Sequence, residues 1–118
     1  MAQIKIEDET VVIHLSRAEK FGALQGDLQF PRSAVRVARV VDKPFAEIQG
    51  FRCPGTGVPG VIALGTWRRR GGGRDFVAVY LGQRGIVVEV DPNMSSYQRV
   101  ILSTKDPDGA RNLLAAAA

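Results

Sequence analysis

Apolar residues in this chain come in short runs that mostly alternate with polar ones, and glycine or proline cuts the runs apart. A period of two puts successive side chains on opposite faces of a strand, so the pattern specifies half-buried β-strands rather than long helices. Val11, Ile13 and Leu15 alternate with Val12 and His14, and Ile4 and Ile6 alternate with Lys5 and Glu7 before them. Leu28 and Phe30 flank Gln29, and Pro31, which has no N–H for a ladder, marks an edge or a bulge. In Val35 to Val41 the alternation slips, because Val35 and Val37 share a face on which Arg39 comes next. That predicts a bulge near Ala38 or cover on both faces.

From Val61 the chain reads as a meander. Strands are expected at Val61 to Arg69, Asp75 to Leu81, Ile86 to Val90 and Gln98 to Thr104, joined by turns at Gly71–Gly73, Gly82–Gly85 and Asp91-Pro92-Asn93. The stretch Asp42 to Gly60 holds too many glycines and prolines for a regular element beyond one turn at Phe45 to Ile48. It is expected to be a long loop, six or seven strands forming the rest.

Two helices carry start signals. Ser16-Arg17-Ala18-Glu19 fits a capping box, followed by a helix from Arg17 to about Leu24 that buries Ala18, Phe21 and Leu24 and ends at Gly26. Asp106-Pro107-Asp108 supplies an N-cap acid, a proline in the first turn and a second acid on the positive end of the helix dipole. Ala110, Leu113, Leu114 and Ala117 then form one apolar stripe that needs a sheet to cover.

With 118 residues, 45% apolar and 24% charged, the chain has the size and make-up of a single domain, residues 1–118, with its core at about 10–114. One cysteine, Cys53, excludes an intrachain disulfide and a thiolate-only metal cage, and one histidine, His14, excludes a site needing two imidazoles. A thiolate dyad would need His14 carried to Cys53 by the fold, and no carboxylate pair or metal-ligand spacing emerges. Asp75, Glu89 and Asp91 read as scattered, solvent-facing strand acids, and Trp67 as a core residue. No catalytic residue, cofactor or metal is expected. The first residues carry acids and no apolar run, and no stretch approaches the roughly 18 residues of a membrane span. The expected location is the cytoplasm, with a peripheral membrane position open to a basic protein.

The net charge of +4 is uneven. Residues 32–84 carry ten basic and three acidic groups, and twelve of the sixteen basic residues of the chain are arginine. The densest cluster is Arg68, Arg69, Arg70 and Arg74 around three glycines, a hairpin that could hold phosphates of lipid or nucleic acid. Alternatively its arginines pair with nearby Glu and Asp and keep a strand edge soluble. A single arginine–glycine copy in a folded chain makes nucleic acid the less favoured anion. The glycine-rich Gly55 to Gly60 precedes a strand and contains Pro59, so it is a turn-rich loop rather than a phosphate loop.

Several segments resemble the small bacterial pleckstrin-homology-like domains of actinobacterial type. They are Leu15 to Lys20, Pro31 to Val41, Gly60 to Thr66, Arg74 to Tyr80 and Asp106-Pro107-Asp108, within Val11 to Leu114. The resemblance implies a bent seven-stranded antiparallel sandwich or barrel plugged by the C-terminal helix, without enzymatic activity and mostly of unknown function. By analogy with eukaryotic relatives it implies an open-end anion site at Arg17 and Lys20, with Lys43 and Arg52 on the next loop at that end, while the arginine hairpin would lie at the opposite end. The reading is a non-catalytic binding or assembly module for another protein or a second copy of itself, the alternative being an anion-binding domain built on the arginine hairpin.

Overall fold

A computed structural model describes residues 1–23, 26–58, 61–69 and 71–117, with 51–58 and 116–117 described by their backbone. The fold is mainly β with a C-terminal helix, as the alternation requires. Strands β1 (Gln3–Glu7), β2 (Thr10–His14) and β3 (Leu28–Pro31) form one antiparallel sheet in that order. Helix α1 (Arg17–Ala23) lies between β2 and β3 in the chain. The second sheet contains β4 (Val35–Val41), β5 (Phe51–Val58), β6 (Ile62–Arg68), β7 (Arg74–Tyr80), β8 (Gly85–Val90) and β9 (Arg99–Ser103), in the spatial order β4-β8-β9-β7-β6-β5. Helix α2 (Pro107–Ala117) follows.

The main core fills the space between the sheets. Val11, Ile13, Leu28 and Phe30 from the small sheet meet Leu64, Phe76, Ile86, Val88, Val100 and Leu102 from the large one, and Leu114 of α2 joins them. Burial of each such side chain stabilises the fold by about 1.5–3 kcal/mol. The other face of the large sheet carries Ala63, Trp67, Val77, Val79, Val87 and Ile101, covered by Val41, Phe45 and Ile48 around a 3-10 turn at Pro44–Glu47. Trp67 is therefore a core residue, as its size suggested.

Among the described residues nine strands form where six or seven were expected, and one pair is parallel. The Gly/Pro-rich segment read as a loop contains β5, an edge strand paired only with β6. An edge tolerates proline, and Pro54 falls where the β5–β6 register shifts, between Arg52 and Gly55. The meander ends at β7, because β9 inserts between β7 and β8 and runs parallel to β7. All five residues of β9 are buried, the mark of a central strand covered on both faces. The bulge in β4 lies between Val35 and Val37, two residues earlier than expected, and Pro31 is on an edge strand as predicted.

The capping box at Ser16 forms as read. Glu19 N–H donates to Ser16 Oγ at 3.2 Å, and Ser16 N–H donates to the Glu19 carboxylate at 2.8 Å. The face of α1 is nonetheless the reverse of the expected one: Glu19, Gly22 and Ala23 are buried, Ala18 is exposed and Phe21 is 82% exposed. The cause is Glu19, whose second carboxylate oxygen accepts a 2.9 Å bond from the Tyr80 hydroxyl and so turns that side of the helix inward. Leu24 lies outside the described residues. In α2 the Asp106 carboxylate caps Gly109 N–H at 3.0 Å, Leu114 is buried, and Leu113 is 41% exposed, so the apolar stripe is only partly covered.

Candidate functional surfaces: an arginine cleft, an apolar end groove and an open strand edge

The arginine hairpin does not act as one cationic tip. Its turn is closed by Gly72 N–H to Arg69 C=O and Arg69 N–H to Gly73 C=O, both 3.1 Å. Arg68 points to solvent, and Arg70 lies outside the described residues. Arg69 Nε donates to Asp75 Oδ2 at 3.0 Å. Arg74 donates to the Ser96 carbonyl at 3.1 Å, and its guanidinium stacks 5.3 Å from the Tyr97 ring centroid. Pairing with a nearby acid therefore accounts for Arg69, and Arg74 is held by a carbonyl and a ring.

Asp75 corrects the reading of it as a solvent-facing acid, since it is fully buried. Its Oδ2 also accepts from Arg99 Nε at 3.2 Å and Nη2 at 3.0 Å, while Oδ1 is buried without a hydrogen-bond partner among the described residues. Arg99 continues to the Glu47 carbonyl at 2.6 Å, and the Glu47 carboxylate pairs with Arg39. The chain of contacts joins the β6–β7 turn, β7, β9, the 3-10 turn and β4. Strand register explains its assembly: Glu89 faces Arg99, Arg99 faces Asp75, and Asp75 faces Trp67, one row across four strands. Beside this network lies a cleft of about 320 Å³ whose lining includes Arg36, Arg69, Arg99, Glu89, Gln49 and Gln98. Arg36 is 3.4 Å from Asp91. The cleft is thus rich in guanidinium groups but nearly balanced in charge.

The open-end set does not assemble. Arg17 is exposed on α1, and Lys20 is 3.4 Å from Asp27. Lys43 lines a groove near Tyr80, whereas the backbone of Arg52 faces Trp67, at the arginine-hairpin end of the sheet. Between them the chain passes through the 3-10 turn at Pro44–Glu47 and crosses from the Tyr80 end of the sheet to the Arg68 end, where β5 begins. His14 Nδ1 is 3.1 Å from Asp27 Oδ2 and its Nε2 is 3.4 Å from Glu7, so both ring nitrogens face carboxylates. The Asp27 carboxyl titrates below the usual range, first because it accepts a bond from Leu15 N–H and then because of His14 and Lys20. Cys53 is on β5, in the other sheet from His14. Among the described residues no group of three His, Cys, Asp or Glu could hold a metal ion, and no helix is long and apolar enough to cross a membrane.

Apolar surface gathers elsewhere. A groove of about 430 Å³ opens between the Asp42–Phe45 segment and the Tyr80–Gln83 turn, with Pro44, Phe45, Tyr80 and Leu81 on its walls. Leu81 is 64% exposed and hydrogen-bonds through its N–H to the carbonyl of Val61, itself 49% exposed. A second groove, of about 410 Å³, runs between β1, an edge strand of the small sheet, and the first turns of α2. Neither groove had a signal in the sequence beyond single exposed apolar residues in turns. Compared with known protein families, curated proteins and solved structures, the chain matches none.

Proposed function

We propose that this chain is a non-catalytic binding or assembly module that works by protein–protein association, with another protein or with itself. The observation that carries the reading is the groove beside Leu81, where Phe45, Tyr80, Leu81 and nearby Val61 leave apolar surface against solvent. Contiguous exposed apolar surface of this kind is what association buries. The ionised side chains around Asp75, by contrast, are used on one another. A mainly β fold with a C-terminal helix is compatible with the pleckstrin-homology-like resemblance, from which the nine strands and the parallel pair among the described residues depart.

The test is affinity capture with the full chain, followed by a binding isotherm with each protein recovered in stoichiometric amount. Leu81→Lys is expected to weaken that binding at least ten-fold, about 1.4 kcal/mol, without loss of folding. Equal binding by the variant contradicts the role of the groove.

A second reading, an anion site, is favoured only by the cleft at Arg36, Arg69 and Arg99. Its near balance of charge suits one phosphate or carboxylate group rather than a polyanion. Titration with inorganic phosphate at low and high salt tests it, and Arg36→Ala is expected to remove the salt-sensitive part of the binding.

A further inference from the structure

We infer that the open edge of β1 is a self-association edge: two copies of the chain join β1 to β1 antiparallel, with Ile6 facing Ile6 and Lys5 facing Glu7 of the second copy. The inference rests on the assembly reading above but uses a different surface from the Leu81 groove.

The hairpin fixes which backbone groups are available. Asp8 and Glu9 both have positive φ, 48° and 65°, which makes a two-residue type I′ turn between the facing residues Glu7 and Thr10. In such a hairpin the flanking pair exchanges both hydrogen bonds, and bonded pairs then alternate. Gln3, Lys5 and Glu7 therefore spend their backbone groups on β2, and Ile4 and Ile6 turn theirs toward the open edge. No backbone bond from another described segment reaches Ile4 or Ile6.

Charge selects the partner. Lys5 and Lys105 flank the groove along β1, and neither makes an ion pair with a described residue. The β1–β2 turn is the complementary object, because Glu7, Asp8 and Glu9 stand in succession at its tip, Glu7 3.4 Å from His14 and Glu9 3.4 Å from Arg32 of the same copy. When Ile6 faces Ile6 of a second copy, those two residues exchange backbone bonds. Lys5 then faces Glu7 on both sides, at non-bonded positions where cross-strand side chains are closest. Asp8 and Glu9 of one copy fall opposite Ile4 and Gln3 of the other, beside Lys105. The tip also holds non-glycine residues in the left-handed region at both turn positions, a strained choice where Asn-Gly is relaxed. Leu113, 41% exposed on the α2 wall of the groove, gives the incoming strand an apolar contact.

The strand overlap is short, Lys5 to Glu7 of each copy, with Ile4 and Gln3 opposite the turn, and buries less than a standard interface, so the association is expected on the order of 100 μM. Sedimentation of the full chain from about 10 μM to 1 mM reads it. Lys5→Glu and Glu7→Lys are each expected to weaken association roughly ten-fold or more, since each creates two like-charge contacts. Mixing the two single variants, or combining them in one chain, restores opposite charges and is expected to restore association. The pair Asp8→Asn with Glu9→Gly is expected to give a fully folded chain that associates several-fold more weakly. A wild-type chain that stays monomeric to 1 mM, or single variants whose mixture associates no better than either alone, overturns the inference. Leu81→Lys leaves β1 untouched, so self-association that survives it while the binding of a captured protein is lost separates the two surfaces.

Discussion

Asp75 and Arg99 stand side by side on β7 and β9, a parallel pair in the large sheet, with Oδ2 3.0 Å from Nη2. Asp75 is fully buried, and Arg99 keeps only 10% of its side chain exposed. Removing one member of a buried pair strands the other without compensation, and Arg69 would lose its anchor as well. Asp75→Ala is expected to lower stability by about 3 kcal/mol in urea unfolding. A loss below about 1 kcal/mol would show that the network contributes little.

Tyr80 and Glu19 make a contact of the same kind between α1 and the large sheet. Burial, followed by the hydrogen bond to Glu19, raises the Tyr80 pKa far above the ordinary phenol value. Because the folded value is raised, its contribution is complete below about pH 10 and is lost as pH climbs toward the folded value. Tyr80→Phe is expected to cost about 1–2 kcal/mol at neutral pH and to flatten the alkaline fall in stability. Unfolding curves from pH 7 to 11 check both.

Asp27 has the opposite sign. Its folded pKa is lowered by the Leu15 N–H first, with help from His14 and Lys20. The stability it contributes is present above the ordinary carboxyl value and fades as pH falls through the folded one. Asp27→Asn is expected to leave a shallower loss of thermal stability between pH 5 and 2 than wild type shows, measured by circular dichroism. An unchanged acid profile would contradict this assignment.

At the β1–β2 turn, replacing Asp8-Glu9 by Asn-Gly relaxes two positive-φ residues. The double variant is expected to gain about 1 kcal/mol in thermal unfolding. A destabilised variant would mean that the acids make contacts stronger than the strain they impose.

Strand positions were legible wherever a single face is buried. Leu28 and Phe30 alternate cleanly with exposed Gln29 on β3, whereas on the central strand β2 Val12 is buried along with Val11 and Ile13. β5 was hidden because its glycines and Pro54 obey the rules of an edge strand, which break the rules of a central one. The α1 face was misread because propensity assigns Phe21 to the core, while one hydrogen bond to Tyr80 outweighs it and draws Glu19 inward. The arginine run was visible, but its use was not. Arg69, Asp75 and Arg99 meet only because β9 inserts beside β7, a non-local pairing that no spacing in the sequence encodes.

We propose that association surfaces, rather than the paired charges, carry this protein's function. Amide hydrogen exchange measured at about 10 μM and 1 mM tests it residue by residue. The proposed β1–β1 pairing predicts that the Ile6 amide slows as concentration rises while the Lys5 amide, already bonded to β2, does not change. Exchange that is independent of concentration along β1, with slowing only around Arg36, Arg69 and Arg99 when phosphate is added, would contradict it.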